Sequence, residues 1–324
     1  MWYIINTKQL ILYKNKNRLV KIILSPNRLK LEPENLPILL TESVNNTTQS
    51  RQRICQLSFE TFNFSHFCLI SQPVLSFLST GKSTGFCVES GHGVTQFVPV
   101  YEGSKVQVGV YRLELAGQDV NDSLEKFANA KGFTFKDYLE KETLADLKEK
   151  LCHVAQNYEE EKKKDANELE KTFKLPDGKE IKLGAERFEC TEQLFEPETC
   201  GKEIDGIIDR AYDRLMHVDP DVRNELYGNI VLAGGNTMMP GFVERFKTQF
   251  TKLAPVSAKD WILLHQKIEI LLLGEEAPYL LVCQLLNQLV CQKMVIMNVV
   301  QVSLTEFALK LTLIFNILVL HSNI

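Results

Sequence analysis

The sequence predicts an α/β fold, and two patterns in it carry this prediction. Short apolar or alternating segments typical of strands lie at Phe86–Val88 and Val94–Val100, on either side of a turn rich in glycine. Apolar residues at helical spacing follow, first from Asp119 onwards and then over Glu140–Tyr158. Because strands that alternate with helices favour mixed layers, we expect an α/β domain.

The remaining elements follow from equally local patterns. Valines alternate over 106–110 and predict a further strand, after which Asp119 begins a helix. The apolar face of this helix carries Val120, Leu124, Phe127 and Ala128. The apolar face of the helix predicted over Glu140–Tyr158 carries Leu144, Leu147, Leu151, Val154 and Ala155. Pro176-Asp177-Gly178 predicts the turn of a hairpin, and Pro240 predicts the start of a last helix.

Composition argues against a few classes of protein and of binding site, but it does not indicate a function. A chain of 324 residues with 44% apolar content can bury one large or two medium cores. Its net charge of -4 gives no sign of a surface for nucleic acid or an anionic membrane. Its eight cysteines lack CxxC or CxxH spacing, which favours reduced thiols over a zinc site. Lysines interrupt the apolar run of residues 1–26, so the layout of a signal peptide is absent there.

Two glycine-rich turns are the strongest candidates for a binding site. The first is Glu89-Ser90-Gly91-His92-Gly93-Val94, and the second is Gly234-Gly235, which follows an apolar strand. Glycine lets the backbone approach a ligand closely and exposes its N–H groups, which suits a phosphate or a metal-bound phosphate. The alternative for the first turn is an ordinary hairpin connection.

Both turns belong to a set of segments that resembles the actin family. The segments include LPILLTE, STGFCVESGHGVTQFVPVYEG, YRLELAGQDV, LKEKLCHVA, LPDGKEIKLGAERFEC and NIVLAGGNTMMPG, and the resemblance covers about residues 27–259. It implies the actin-like ATPase fold, which is related to ribonuclease H and holds nucleotide in a cleft between two lobes. The expected divisions are an unmatched leader (1–26), part of the first lobe (27–118), the second lobe with a cleft wall (119–260), and a tail (261–324).

The resemblance implies that ATP or ADP binds with Mg²⁺ at these turns. Residues Glu89 to Val94 match the second phosphate loop of the family, which has aspartate at the positions of Glu89 and His92. Those aspartates hold waters around Mg²⁺, so the metal is expected near Glu89 through waters. His92 departs further from the pattern, because neutral imidazole is a poor Mg²⁺ ligand and imidazolium repels the cation.

The resemblance also implies residues for hydrolysis and for nucleotide binding. Gln72 matches the catalytic glutamine, and Gln96 stands where the family has a histidine that helps to order the attacking water; the alternative for Gln72 is ordinary hydrogen bonding at a helix or strand end. The implied nucleotide contacts are Gly117, Asp119, Lys148, Glu149, Gly234, Gly235, Asn236, Met238 and Met239, with the two methionines against the adenine. Alternatively, Asp119 is a helix N-cap and the charged pair 148–149 is merely solvated.

Some features of the family are expected to be missing. The first phosphate loop, an acid followed by Gly-Ser, and the small lobe that grips a neighbouring subunit have no match in this chain. The apolar plug loop of the family maps to residues 199–202, where Lys202 is costly to bury between subunits.

The apolar tail is interpreted as a translation in the wrong frame. Codons shifted by one frame across Leu263–Lys267, Gly274–Ala277 and Val299–Val302 can encode APPE, GGS and GPS, in the order found in actin. The alternative, a membrane span over Ser303–Leu320, is opposed by Glu306 and Lys310 within it.

Three hypotheses for function follow. The leading one is an ATP-binding filament subunit of the cytoplasm and cytoskeleton, whose partners are other actin subunits or actin-binding proteins, with no nucleic acid and no membrane among them. The second is an actin-related protein that binds partners but does not polymerise and hydrolyses ATP poorly, which leaves open whether the chain is an enzyme. The third is a fragment that does not fold.

Overall fold

The computed structural model describes residues 3–6 and 37–254, which divide into two compact units. Among these residues, one unit contains 3–6, 37–42 and 48–70, and the other contains 43–47 and 71–254. Only residues 3–6 of the predicted leader are described, and the whole predicted tail, 261–324, lies outside the described residues. The boundary predicted between two lobes, at 118/119, falls inside the second unit, and the two-lobe arrangement therefore stays a prediction.

The smaller unit is built on a three-stranded sheet of β1 (Tyr3–Asn6), β2 (Pro37–Glu42) and β3 (His66–Ser71). Strands β1 and β2 run parallel. Helix α1 (Thr48–Gln56) continues into a π-helical turn over Leu57–Thr61. The almost buried carboxylate of Glu42 pairs with Arg51 at 2.7 Å, which ties α1 to β2 within this unit.

The larger unit contains a five-stranded sheet in the order β10-β4-β5-β6, with β7 paired to β5. Its strands are β4 (Gly85–Ser90), β5 (Thr95–Tyr101), β6 (Ser104–Lys105), β7 (Tyr111–Leu113) and β10 (Ile230–Ala233). Strands β4 and β5 are antiparallel, whereas β10 runs parallel to β4. The two strands predicted on either side of the first glycine-rich turn are therefore confirmed.

The strand predicted over 106–110 is wrong. Residues Gln107–Gly109 form a 3-10 turn, and Val108 is 62% exposed. The N–H of Gly109 donates to the carbonyl of Val106 at 3.1 Å, which closes the turn. Gly109 is packed so tightly that a Cβ there would lie 2.5 Å from Pro99 Cγ. Tertiary packing therefore determines the backbone conformation of this segment, although its alternating valines predict a strand.

Helices pack against this sheet and supply many of the buried core residues. They are α2 (Gln72–Leu78), α3 (Gly117–Ala130), α4 (Tyr138–Leu151), α5 (Tyr158–Lys162), α6 (Ala166–Leu169), α7 (Glu186–Glu192), α8 (Ile207–Met216), α9 (Pro220–Tyr227) and α10 (Phe242–Leu253). The predicted hairpin is confirmed as β8 (Lys171–Lys174) and β9 (Glu180–Leu183), with Gly178 at a φ of 87° in its turn. None of the described helices is both long and apolar enough to cross a membrane.

The two predicted helices with apolar faces are present, but their ends differ from the predictions. Helix α3 begins at Gly117, so Asp119 is not its N-cap; its carboxylate instead accepts a hydrogen bond from the N–H of Ala116 at 2.8 Å. Helix α4 ends at Leu151 rather than at 158, because the N–H of Val154 donates to Pro240 O at 2.8 Å. A tertiary hydrogen bond therefore replaces the helical one.

Candidate functional site

The two glycine-rich turns lie side by side because the strands that lead into them are parallel neighbours. Ala233 at the end of β10 is opposite Glu89 near the end of β4. Ligands of open α/β sheets commonly bind beyond the carboxyl ends of such strands. The sheet thus brings together two segments of sequence that are about 145 residues apart.

Asn236 joins the two turns directly. Its Nδ2 donates to Ser90 Oγ at 2.9 Å and to the carbonyl of Gly91 at 2.8 Å. Ser90 Oγ in turn lies 2.9 Å from Thr95 Oγ1, so the turn is held from both sides. Gly234 has a φ of 92°, and a Cβ there would lie 2.2 Å from Ser90 O. Only glycine lets the turns approach this closely.

The start of helix α3 completes the arrangement. The N–H of Gly117 donates to Gly91 O at 3.0 Å, and the N–H of Gln118 donates to His92 O at 2.6 Å. A Cβ at Gly117 would lie 2.8 Å from Asn236 Oδ1. Three separate segments therefore meet around Gly117.

Lys148 supplies a buried positive charge at this meeting point. The side chain is 7% exposed, and its Nζ donates to Gly117 O at 3.3 Å. Burial lowers the pKa of the Lys148 ammonium group below its ordinary value, and the neighbouring Glu149 opposes that shift. A buried cation with no bonded carboxylate among the described residues is available to the acceptor oxygens of a ligand. Glu149 itself is exposed.

Polar side chains line the inner end of the first turn. Glu89 is buried, and its carboxylate accepts a hydrogen bond from Ser76 Oγ at 3.3 Å. Gln96 is opposite Glu89 on β5 and is 0% exposed; its Oε1 accepts from the N–H of Val44 at 2.7 Å. Gln96 Nε2 is a buried donor for which the described residues provide no acceptor.

Gln72 is the first residue of α2, and its amide oxygen is likewise buried without a donor among the described residues. Buried amides of this kind are normally satisfied, so each is available to a water or a ligand. At the predicted catalytic positions, one amide donor and one amide acceptor therefore lack a partner among the described residues.

The exposed part of the turns offers backbone donors. His92, Gly93 and Gly235 are exposed, and the N–H groups of both glycines lack an acceptor among the residues that the structure covers. Unpaired N–H groups in such turns suit phosphate oxygens. Within 3–6 and 37–254, no group of three or more His, Cys, Asp or Glu side chains is placed to hold a metal ion.

The remaining predicted site residues are Met238, Met239 and Asp119, and they lie in different surroundings. Met238 is half-buried, whereas Met239 is buried in the main core with Phe242 and Phe246. Asp119 forms an ion pair with Lys202 through its other carboxylate oxygen, in addition to its bond to Ala116. Asp119 thus connects the start of α3 with the loop that contains Lys202.

Sequence reasoning missed two partners of the predicted residues. The first is Ser76, which donates to Glu89. It lies four residues after Gln72 on the same helix, so helical spacing could have indicated that it lies near the predicted site. Val44 acts through its backbone N–H, which no side-chain pattern can reveal.

A sequence model of a protein family, described as Actin, matches residues 14–270. The match covers more than half of the chain and extends beyond both ends of the range 27–259, over which the resemblance is visible by inspection. It includes every residue of the candidate site.

Proposed function

The chain belongs to the actin family, and from that premise we propose that it binds ATP or ADP with Mg²⁺ at the meeting point of the two glycine-rich turns and the start of α3. One observation carries this proposal. Asn236, Gly91 and Gly117 are held in one hydrogen-bonded cluster, with the exposed N–H groups of Gly93 and Gly235 at its edge. Such a cluster suits a chain of phosphates.

The predicted nucleotide contacts other than Asp119 each have a role in this proposal. Ser90 to Val94 surround the phosphates, and Gly117, Lys148 and Glu149 contact the sugar side. Gly234 and Asn236 set the shape of the second turn, and Met238 contacts the adenine, with Met239 supporting it from the core. Glu89 would hold waters of the Mg²⁺ ion, since it is the acidic residue in the first turn. The ion would neutralise phosphate charge.

The two catalytic candidates would orient water rather than remove its proton. Among the described residues, Gln96 uses its oxygen for Val44 and has an unpaired N–H donor, while Gln72 has an unpaired acceptor oxygen. An amide cannot take up a proton at neutral pH, so hydrolysis in this site would be slow.

Replacing His92 by aspartate is expected to tighten binding of Mg-ATP by about tenfold, because the new carboxylate would attract the metal ion. Binding is measured with a fluorescent ATP analogue, with Mg²⁺ and again with EDTA. Gln107→Asp adds the same charge at an exposed position outside the site and is expected to leave the affinity unchanged.

One result would contradict the role given to His92, and another would contradict the nucleotide site. Unchanged affinity in His92→Asp would reject the role given to His92 alone. Absence of saturable nucleotide binding by the wild-type chain and by His92→Asp would reject the nucleotide site itself.

One observation bears on whether the protein assembles into filaments. It favours the second hypothesis, an actin-family protein that binds nucleotide and partners in the cytoplasm without polymerising. Lys202 lies in the segment that resembles the plug loop, and it is paired with Asp119 of α3. The ion pair holds this segment against its own subunit, and withdrawing the lysine into an apolar contact would break the pair. The alternative is a filament subunit of the cytoskeleton.

We expect the wild-type chain to stay in the supernatant after Mg-ATP is added, and Lys202→Met to increase the fraction that pellets. Methionine removes the charge that burial between subunits would penalise. Lys126→Met, an exposed change on α3, is the matched control. Pelleting of the wild-type chain on addition of Mg-ATP would instead support the filament subunit.

A further inference from the structure

A cavity of about 570 Å³ lies within the larger unit, and none of the residues that line it belongs to the candidate nucleotide site. Its walls come from the end of α4, the segment 152–156, helix α6, the start of β8 and Pro240–Gly241. It exists because α4 stops at Leu151 and the chain continues in an extended form.

The floor of the cavity contains a buried arginine. Arg187 is 7% exposed, and its Nε and Nη1 donate to the carbonyls of Leu151 at 2.8 Å and Leu169 at 2.9 Å. Among the described residues no carboxylate lies within ion-pair distance of this guanidinium group. These carbonyls accept hydrogen bonds from two of its nitrogens but do not cancel its charge, so an anion would stabilise it.

The rim is also predominantly basic. Lys150, Lys164 and Lys171 line the cavity, against the acidic Glu161 and Glu168. Lys164 is paired with Glu161 at 2.7 Å and Lys150 with Asp146 at 3.5 Å, whereas Lys171 has no ion-pair partner in the part of the chain that is described. With Arg187, the cavity has four permanent positive charges and two negative ones.

His153 lines the cavity and lies near several of its charged groups. Burial lowers the pKa of its imidazole, nearby Arg187 and Lys171 lower it further, and Glu161 opposes them. The imidazole Nε2 lies 3.6 Å from Glu161 Oε1. The Nδ1 atom is buried and has no hydrogen-bond partner among the described residues.

We propose that this cavity is a binding site for a small phosphate dianion, either free phosphate or a phosphomonoester. The positive groups come from the floor and from separate elements of the rim, so a ligand in the cavity can contact more than one of them. A tetrahedral group with several acceptor oxygens matches that arrangement better than a planar carboxylate. It shares no lining residue with the proposed nucleotide site.

The test is a titration of the full chain with inorganic phosphate and with glycerol 3-phosphate, against chloride as reference. The chain has six histidines, so ¹³C-histidine labelling gives a resolvable spectrum in which His153→Gln identifies the signal of His153. Bound phosphate is expected to raise the pKa of His153, because an anion stabilises imidazolium. Tighter binding of the ester assigns the site to an organic phosphate, and tighter binding of phosphate to the free ion.

Lys171→Gln is expected to weaken phosphate binding by about fivefold while leaving nucleotide affinity unchanged. Lys174→Gln removes the same charge from the other end of β8, outside the cavity, and is the matched control. A His153 signal that does not respond to phosphate would overturn the proposal, and so would equal weakening by the two variants.

Discussion

Gly234→Ala is expected to lower the free energy of unfolding of the larger unit by about 3 kcal/mol or more. Two penalties add at this position. Alanine disfavours the φ of 92° that Gly234 adopts, and its Cβ would lie 2.2 Å from the carbonyl oxygen of Ser90. The obstructing atom belongs to the backbone, so the clash can be relieved only by moving β4 and the first glycine-rich turn.

Gly235→Ala is the matched control for that variant. It changes the next residue of the same turn, where a Cβ would meet nothing within 4 Å. Urea denaturation followed by circular dichroism measures both variants. Equal midpoints for Gly234→Ala and Gly235→Ala would contradict the close approach of the two turns, and with it the geometry of the proposed nucleotide site.

Glu192→Gln is expected to cost about 3–5 kcal/mol, because it leaves the buried charge of Arg245 without a counter-ion. The side chain of Arg245 is 4% exposed and that of Glu192 is 3% exposed. They form a bidentate pair at 2.6 and 2.7 Å. Arg245 also donates to the carbonyl of Ala155, so the pair joins α7, α10 and the segment after α4.

Two further variants separate charge from packing. Adding Arg245→Met to Glu192→Gln removes the unpaired charge and should recover part of the loss in stability. Glu170→Gln breaks an ion pair with Lys182 that is largely exposed, and it should have no resolvable effect. A double variant less stable than Glu192→Gln would show that Arg245 acts mainly through packing.

Local sequence was sufficient for several parts of the fold. Alternation predicts β5, and the apolar face of α3 is confirmed at Val120, Leu124 and Ala128, which are buried. These elements are predictable because their side-chain periods match the faces that they bury. The glycine pairs likewise indicate both turns, since Gly234 needs a φ that other residues avoid.

The candidate site could be predicted only in part. Its residues could be named from the glycine-rich segments and from the resemblance, including Asn236 and Lys148. Their partners could not, because the bond from Asn236 to Gly91 joins residues 145 positions apart in the sequence. The bond from Val44 to Gln96 and the pair of Lys202 with Asp119 are of the same long-range kind.

By itself, then, the sequence determined the family, strands β4, β5 and β10, the β8–β9 hairpin, the presence of helices α3, α4 and α10, and the position of the two glycine-rich turns, because each depends on residues close together in the chain. Only the tertiary structure decided where α4 ends, that the amide oxygen of Gln96 accepts a hydrogen bond from Val44, and that Asp119 pairs with Lys202. Those outcomes depend on which distant groups packing brings within hydrogen-bond distance, and local periodicity carries no information about that.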